Sequence, residues 1–516
     1  MNKITAESAF SQHQATPGKS IALWAGPVVA FTLVFFYIPD RLHPEIGYTL
    51  AIAAWMAIWW ITEAVPLAIT SLLPVVLFPL LGVMDGQTVS AAYFNHVIFL
   101  FIGGFLIALA MQRWNLHKRI ALTILGITGT GKSRLLLGFM LATAVLSMWM
   151  SNTATAMMIV PILVSVLMEI EPEPAGKKSF STGLLLGVAY SASIGGIMTL
   201  VGTPPNLSFL RIYQVMFPDA PAITFLQWML FAVPTGILLL AAAFALLYVK
   251  YAKGITTRAV KDLPIRQLKK ELGPMSREEG IVLFCFLLMA LLWISRSDLE
   301  IGTVTVRGWA SLFGKPAFIN DGTVAIALAL PLFMISVKGR KGSKILDWET
   351  ARQLPWDIVL LFGGGFALAN GFRDSGLSLW LGGQLQGLSV FPPVVIVLII
   401  CLLVTFLTEL TSNTATTEMI LPVLAGMAIA THTHPLLFMV PATLSASMAF
   451  MLPAATPPNA IIFGTRRVTI LEMARTGLWL NLIGALVITA VFFLIGSVIF
   501  KITPGEFPVW AIPDAR

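Results

Sequence analysis

Charge is scarce in this 516-residue chain: Asp, Glu, Lys and Arg make up 11% of it, where about 25% is usual in a soluble domain. With 57% hydrophobic residues there is too little polar surface to cover a soluble core. That excludes an ordinary cytosolic enzyme and a disordered chain. Cysteine is scarcer still. Cys285 and Cys401 stand far apart inside apolar runs, which excludes a disulfide scaffold and leaves them as small apolar side chains. His96, His432 and His434 have no acidic or Cys neighbours at ligand spacing, so no metal centre of that kind is expected. The first 20 residues, with Lys3, His13 and Lys19, lack a small-residue cleavage site, so the apolar run after them is expected to remain as a first span.

What the chain does have is long apolar runs, at about the 20-residue length a membrane span needs. Candidate spans are 21–38, 47–61, 65–84, 97–112, 183–201, 225–249, 280–295, 323–337, 358–372, 438–452 and 478–500. Two regions break this template. Residues 134–150 and 154–168 are short apolar pieces joined at Ser151-Asn152-Thr153; 391–411 and 415–430 are joined at Ser412-Asn413-Thr414. If each pair is a re-entrant hairpin, 25 of the 33 Lys and Arg fall on one side of the membrane. The positive-inside bias then predicts an all-α membrane protein of 11 spans, N-terminus cytoplasmic and C-terminus outside. The net charge of +8 is orientation signal dispersed between spans, and no nucleic-acid partner is implied.

The chain also repeats itself. Gly103-Gly104-Phe105 matches Gly364-Gly365-Phe366, and Ser151-Asn152-Thr153-Ala154-Thr155 matches Ser412-Asn413-Thr414-Ala415-Thr416, both at an offset of 261. Thr203-Pro204-Pro205-Asn206 recurs as Thr456-Pro457-Pro458-Asn459 at an offset of 253. An odd number of spans between the hairpins makes the two halves inverted, the plan of many secondary transporters.

The motifs suit ions. At a hairpin tip one half-helix ends in unpaired carbonyls, which attract a cation, and the next begins with unpaired N–H groups, which attract an anion. The paired prolines remove two donors and break a helix, freeing the carbonyls of Leu200, Val201, Pro453 and Ala454. Broken helices at membrane depth persist where they line a cavity. Only Glu409 and Glu418 bring charge near a tip, and no Lys or Arg does. An anion there needs helix ends and co-bound cations to balance it. At 4–5 Å and an effective dielectric near 20, each charge pair is worth about 3–4 kcal/mol.

These motifs, with Trp60-Ile61-Thr62-Glu63-Ala64-Val65-Pro66, resemble the divalent anion:sodium symporter family over nearly the whole chain. The resemblance implies a bacterial inner-membrane homodimer with fixed scaffolds and an elevator-type transport domain. It implies one Na⁺ site at Ser147, Ser151, Asn152 and Gly202, and a second at Thr408, Thr411, Asn413 and Ala455. Substrate would meet Asn152, Thr153, Asn413, Thr414, Thr203, Pro204, Thr456 and Pro457. Na⁺ would be the coupling ion, with no cofactor and no catalytic residue.

The expected organisation is a tail (1–20), scaffold (21–112), transport part (113–224; hairpin 134–168, broken helix 183–217), scaffold (225–372; basic segment 250–279) and transport part (373–516). The last holds hairpin 391–430, broken helix 438–463 and last helix 478–500. The expected function is Na⁺-coupled import of C4 dicarboxylates such as succinate, with membrane lipid as the surroundings. Alternatives are a Na⁺-independent dicarboxylate exchanger, or a citrate or sulfate symporter of the same family.

Other features are read as decoys. Gly126-Ile127-Thr128-Gly129-Thr130-Gly131-Lys132-Ser133 fits the phosphate-loop pattern, but no βαβ unit surrounds it, so a basic linker is expected. Glu63 is expected at a loop end. Glu409 and Glu418 flank the second tip, where one could tune ion affinity or both could have partial access to water. The basic stretch 255–279 (Arg258, Lys261, Arg266, Lys269, Lys270) is expected to lie on an anionic lipid surface.

Overall fold

The computed structural model describes residues 17–37, 43–129, 131–171, 179–253, 264–301, 304–340, 342–503 and 505–512. The polar start with Lys3 and His13, along with Arg41, Thr130, Arg258, Lys261 and Arg516, lies outside them. So does the side chain of Arg266.

The described chain is almost wholly helical. Helices α1 (Pro17–Thr32) and α2 (Pro44–Thr62) pack together, with Trp59 Nε1 donating to the Leu23 carbonyl at 3.1 Å. α2 ends at Glu63, exposed and at φ 47°, at a loop end as its position suggested. The expected single span at 65–84 is instead two short helices, α3 (Leu67–Thr70) and α4 (Leu73–Leu80). Pro74 in the first turn of α4 lacks the N–H that would pair with Thr70, so the helix breaks at Ser71. α5 (Gly86–Ala91) leads into α6 (His96–Arg113).

Between the expected span 97–112 and the hairpin at 134 lies a further helix, α7 (Leu116–Thr128). Its buried face is Leu116, His117, Ala121, Leu122 and Leu125, spacing that an amphipathic helix requires. Lys118, Arg119 and the glycines beyond hid that face. Gly126–Thr128 of the phosphate-loop look-alike are its last turn, and Gly129, at φ 89°, turns the chain into α8 (Lys132–Ser147). No strand precedes it among the described residues.

α8 and α9 (Asn152–Ile170) form the first hairpin, followed by α10 (Phe180–Ile197) and α11 (Pro204–Met216), the two pieces of the first broken helix. α12 (Phe225–Leu247) runs on into a π-helical turn. α13 (Pro264–Glu271) packs on α7, and Arg119 of α7 pairs with Glu279 at 3.0 Å in the first turn of α14 (Arg277–Ile294). An antiparallel hairpin of β1 (Leu299–Ile301) and β2 (Val304–Val306) precedes α15 (Asp321–Met334), α16 (Trp348–Ala351), α17 (Trp356–Asp374) and α18 (Leu377–Gln384). The second hairpin is α19 (Pro393–Thr408) and α20 (Asn413–Ala430). The second broken helix is α21 (Leu436–Ser445) and α22 (Pro457–Gly464), followed by α23 (Ile470–Val491) and α24 (Ser497–Ile499).

Seven of the described helical segments are at least 18 residues long and apolar enough to cross a membrane. The hairpin and broken-helix pieces Pro393–Thr408 and Leu436–Ser445 fall short of that length.

Local features recur between the halves. Asp85 accepts from Thr88 N and Oγ1 at the start of α5; Asp347 accepts from Thr350 N and Oγ1 at the start of α16. α7 and α18 each follow a residue at positive φ, Asn115 and Gly376. A Cβ on Gly103 would overlap Ala325 of α15, and one on Gly364 would overlap Ser71 between α3 and α4. The matching glycines thus let two long helices cross their neighbours closely.

Candidate functional site

Each hairpin tip is built from the end of one helix and the start of the next. α8 stops at Ser147, and α9 begins at Asn152 with Ser151 as N-cap, its hydroxyl accepting from Ala154 N at 3.2 Å. Ser147 Oγ lies 2.6 Å from Asn152 Oδ1 and 2.7 Å from the Ala192 carbonyl oxygen. A single hydroxyl hydrogen cannot serve both acceptors, so three oxygens converge with one proton among them. The unwound link between α10 and α11 closes the group. A Cβ on Gly202 would come within 2.9 Å of the Ser147 carbonyl oxygen and would also press on that of Gly196, so the missing side chain leaves space among oxygens. Ser147, Asn152 and Gly202 are therefore brought together, with Ser151 at the adjoining helix start.

The second tip repeats this chemistry. Thr408 Oγ1 lies 2.8 Å from Asn413 Oδ1 and 2.8 Å from the Ala446 carbonyl oxygen. Thr411 meets Thr416 hydroxyl to hydroxyl. Ala455 belongs to the unwound link 446–456, its N–H donating to the Leu452 carbonyl at 3.2 Å. That link is tied to the tip through Glu409. Its carboxyl accepts from the N–H groups of Phe450 (2.7 Å), Met451 (2.9 Å) and Leu452 (3.1 Å), and from Asn481 Nδ2 (2.7 Å) of α23.

The substrate candidates stand at the starts of α9, α11, α20 and α22. Asn152, Thr153 and Asn413 are half-buried, Thr414, Thr203 and Thr456 are buried, Pro204 is half-buried and Pro457 is exposed. The elements that carry them interlock across the halves. α9 of the first hairpin packs on α22 of the second half, and α20 of the second hairpin packs on α11 of the first. Tyr190 of α10 meets Phe450 edge-on at 5.0 Å. At the far end of the first hairpin, Arg467 Nη1 donates to the Glu171 carbonyl at 2.8 Å and Thr182 Oγ1 to the Arg467 carbonyl at 3.1 Å.

One expectation needs correction. Glu409 and Glu418 have almost no water access: both are buried, and Glu418 completely. Glu409 is enclosed by the link it holds, and Glu418 by α11 and α17. In each broken helix, carbonyls ahead of the freed ones are braced by the Asn of the motif itself. Asn206 Nδ2 donates to the Thr199 carbonyl at 2.7 Å and to those of Gly196 and Ile197 at 3.3 and 3.4 Å. Asn459 Nδ2 does the same for Ala449 and Leu452 at 3.1 and 3.0 Å. The Asn closing each Thr-Pro-Pro-Asn motif is thus a brace for freed carbonyls, and its repetition was the available signal.

A family model described as the sodium:sulfate symporter transmembrane region matches residues 19–502. A protein of Staphylococcus saprophyticus named sodium-dependent dicarboxylate transporter SdcS is 44% identical over 495 residues, covering 93% of this chain and 92% of that protein. Its namesake in a bovine strain of Staphylococcus aureus is 44% identical over 497 residues, covering 94% and 92%. Among solved structures, MtrF of Neisseria gonorrhoeae, described as one of a class of antimetabolite efflux pumps, matches with a TM-score of 0.55. It is 14% identical, with 90% of this chain and 96% of MtrF covered. The Alcanivorax borkumensis YdaH transporter matches at 0.54, 12% identical, with 93% and 99% covered. At such identity the last two speak for the mostly helical fold alone.

Proposed function

This chain belongs to the sodium:sulfate symporter family, and from that premise we propose that it imports C4 dicarboxylates such as succinate by symport with Na⁺. The observation that carries the reading is the doubled oxygen cluster, Ser147 with Asn152 and Thr408 with Asn413, each at the head of a helix.

In this reading one Na⁺ is held by Ser147, Ser151, Asn152 and Gly202, and another by Thr408, Thr411, Asn413 and Ala455. The two cations balance the two charges of the substrate. Its carboxylates meet the N–H groups and hydroxyls at Asn152, Thr153, Asn413 and Thr414, flanked by Thr203, Pro204, Thr456 and Pro457. Each charge pair at 4–5 Å contributes about 3–4 kcal/mol at an effective dielectric near 20, so a dianion without its cations is not retained. Coupling then follows from electrostatics.

The two hairpins with their broken helices form the mobile domain, moving as one piece because their elements interlock, against the scaffold of the preceding helices. The halves are inverted, the N-terminus is cytoplasmic, the membrane is the bacterial inner membrane, and the working unit is a dimer. The 44% identity to proteins named sodium-dependent dicarboxylate transporters supports the choice of substrate and ion.

Calorimetric titration of the purified protein with succinate tests the binding step. Heat of binding is expected in Na⁺ and not in K⁺ at equal ionic strength. Malate and fumarate are expected to compete better than citrate or sulfate. Equal binding in K⁺ would favour the Na⁺-independent exchanger instead.

A further inference from the structure

Glu418 stands on α20 beyond the second tip and takes no part in either oxygen cluster. It is fully buried; its Oε1 meets Ser208 Oγ of α11, and its Oε2 has no hydrogen-bond partner. The carboxyl lies against Gly365 of α17, where any Cβ would overlap it. Glu418 thus sits at the seam between the second hairpin and a helix assigned above to the scaffold.

The elements packed on α20 bring few groups to neutralise it. α11 carries Arg211 and Tyr213; α17 carries Asp357, Arg373 and Asp374; α2 carries Glu45 and Tyr48; α19 carries Cys401 and ends at Glu409; α18 and α21 carry none. Arg373 is engaged by Asp374 and the Val215 carbonyl, and Glu409 by the 450–452 backbone. Among the described residues Glu418 forms no ion pair. A carboxylate charge enclosed with one hydroxyl for company is costly enough that such groups neutralise instead. One carboxyl and one hydroxyl are too few ligands to replace the hydration of Na⁺, so the neutralising species is a proton.

We propose that Glu418 carries a proton whenever α20 is docked on the glycine strip of α17, so that protonation of this residue gates the sliding of the transport domain. The inference rests on the symporter reading above and adds a second, non-sodium control to it. The proton comes from water while α20 is undocked and Glu418 is wetted, and it returns to water at the next undocking. Every transport cycle passes through the docked state, so the rate falls once the pH is too high for docking to draw a proton onto the carboxyl.

The test is initial succinate uptake into proteoliposomes under a fixed Na⁺ gradient. The pH is equal on both sides and varied between about 6.5 and 8.5, where succinate stays a dianion. Uptake by the unaltered protein is expected to fall about fivefold or more across that range. Glu418→Gln, which mimics the protonated form, is expected to stay flat within about twofold, at the acid-limb rate of the parent.

Na⁺-dependent succinate binding by the solubilised variant confirms that it is folded. A Glu418→Gln profile parallel to that of the parent overturns the gate. So does a Glu418→Gln protein that binds but transports at no pH. If the parent itself shows no Na⁺-driven uptake, the symporter reading fails first.

Discussion

Ser147 and Thr408 carry the same task with different side chains. Each hydroxyl faces an Asn amide oxygen and a helix carbonyl oxygen, at 2.6 and 2.7 Å for Ser147 and 2.8 Å to both for Thr408. If these oxygens hold Na⁺ as proposed, removing either takes one ligand from a cation while leaving the hairpin packed. Ser147→Ala and Thr408→Val are each expected to raise the Na⁺ concentration for half-maximal succinate binding by about tenfold, a loss of about 1.4 kcal/mol. Titration of succinate binding against Na⁺ checks this; an unchanged midpoint would remove the residue from the site. Gly364 makes a packing prediction of another kind. Gly364→Ala drives a methyl into Ser71 and is expected to cost about 1–3 kcal/mol, seen as a lower unfolding temperature in detergent.

The residue types at both tips were legible in the sequence because a five-residue match at one offset with a second motif beyond it is a strong pattern. What a pattern could not reveal was which buried groups the tips lean on. Asn481 and Glu409 are 72 positions apart, and Ser208 and Glu418 are 210 apart, so only the fold brings them together.

At the scale of elements, helices stop and restart at both Ser-Asn-Thr motifs and at both Thr-Pro-Pro-Asn motifs. Proline, Ser-Asn and helix ends act locally, so the sequence carries them plainly. The amphipathic α7 was missed because its apolar face is interrupted by Lys118 and Arg119, and α3–α4 because one proline splits a continuous apolar run. The phosphate-loop look-alike illustrates the converse. Lys132 opens α8 after the turn at Gly129, so Lys132→Ala is expected to leave uptake unchanged, and a loss of transport would reopen nucleotide binding.

Helix α16 offers a pH-dependent case away from the membrane segments. Burial pushes the Asp347 carboxyl upward, but the Thr350 N–H and hydroxyl, and Arg113 beside it at 2.6 Å, outweigh this and hold it below the ordinary carboxylate range. A group lowered in the folded state adds stability above its unfolded pKa, and that stability is lost as pH falls through the folded value. Asp347→Ala is expected to cost about 1 kcal/mol at neutral pH, mostly as a lost cap because the ion pair is partly exposed. The gap from the parent is expected to close in acid. Thermal unfolding of both proteins across pH measures it; a gap independent of pH would contradict the assignment.

The whole molecule works, in this account, because no tip is complete by itself. Each hairpin packs on the post-proline helix of the other half, and Arg467 joins the base of the first hairpin to the second half. On the proposed mechanism, such interlocking lets the binding centre move as one body without being dismantled. Composition announced a membrane protein, and the repeat announced two halves, but the crosswise packing is a property of the assembled chain.

The most direct measurement is uptake of labelled succinate into proteoliposomes, with Na⁺ outside in one arm and K⁺ in the other. The account expects concentrative uptake with Na⁺ alone, lost when Asn152→Ala or Asn413→Ala is introduced. Equal uptake in both arms, or full activity in either variant, would contradict it.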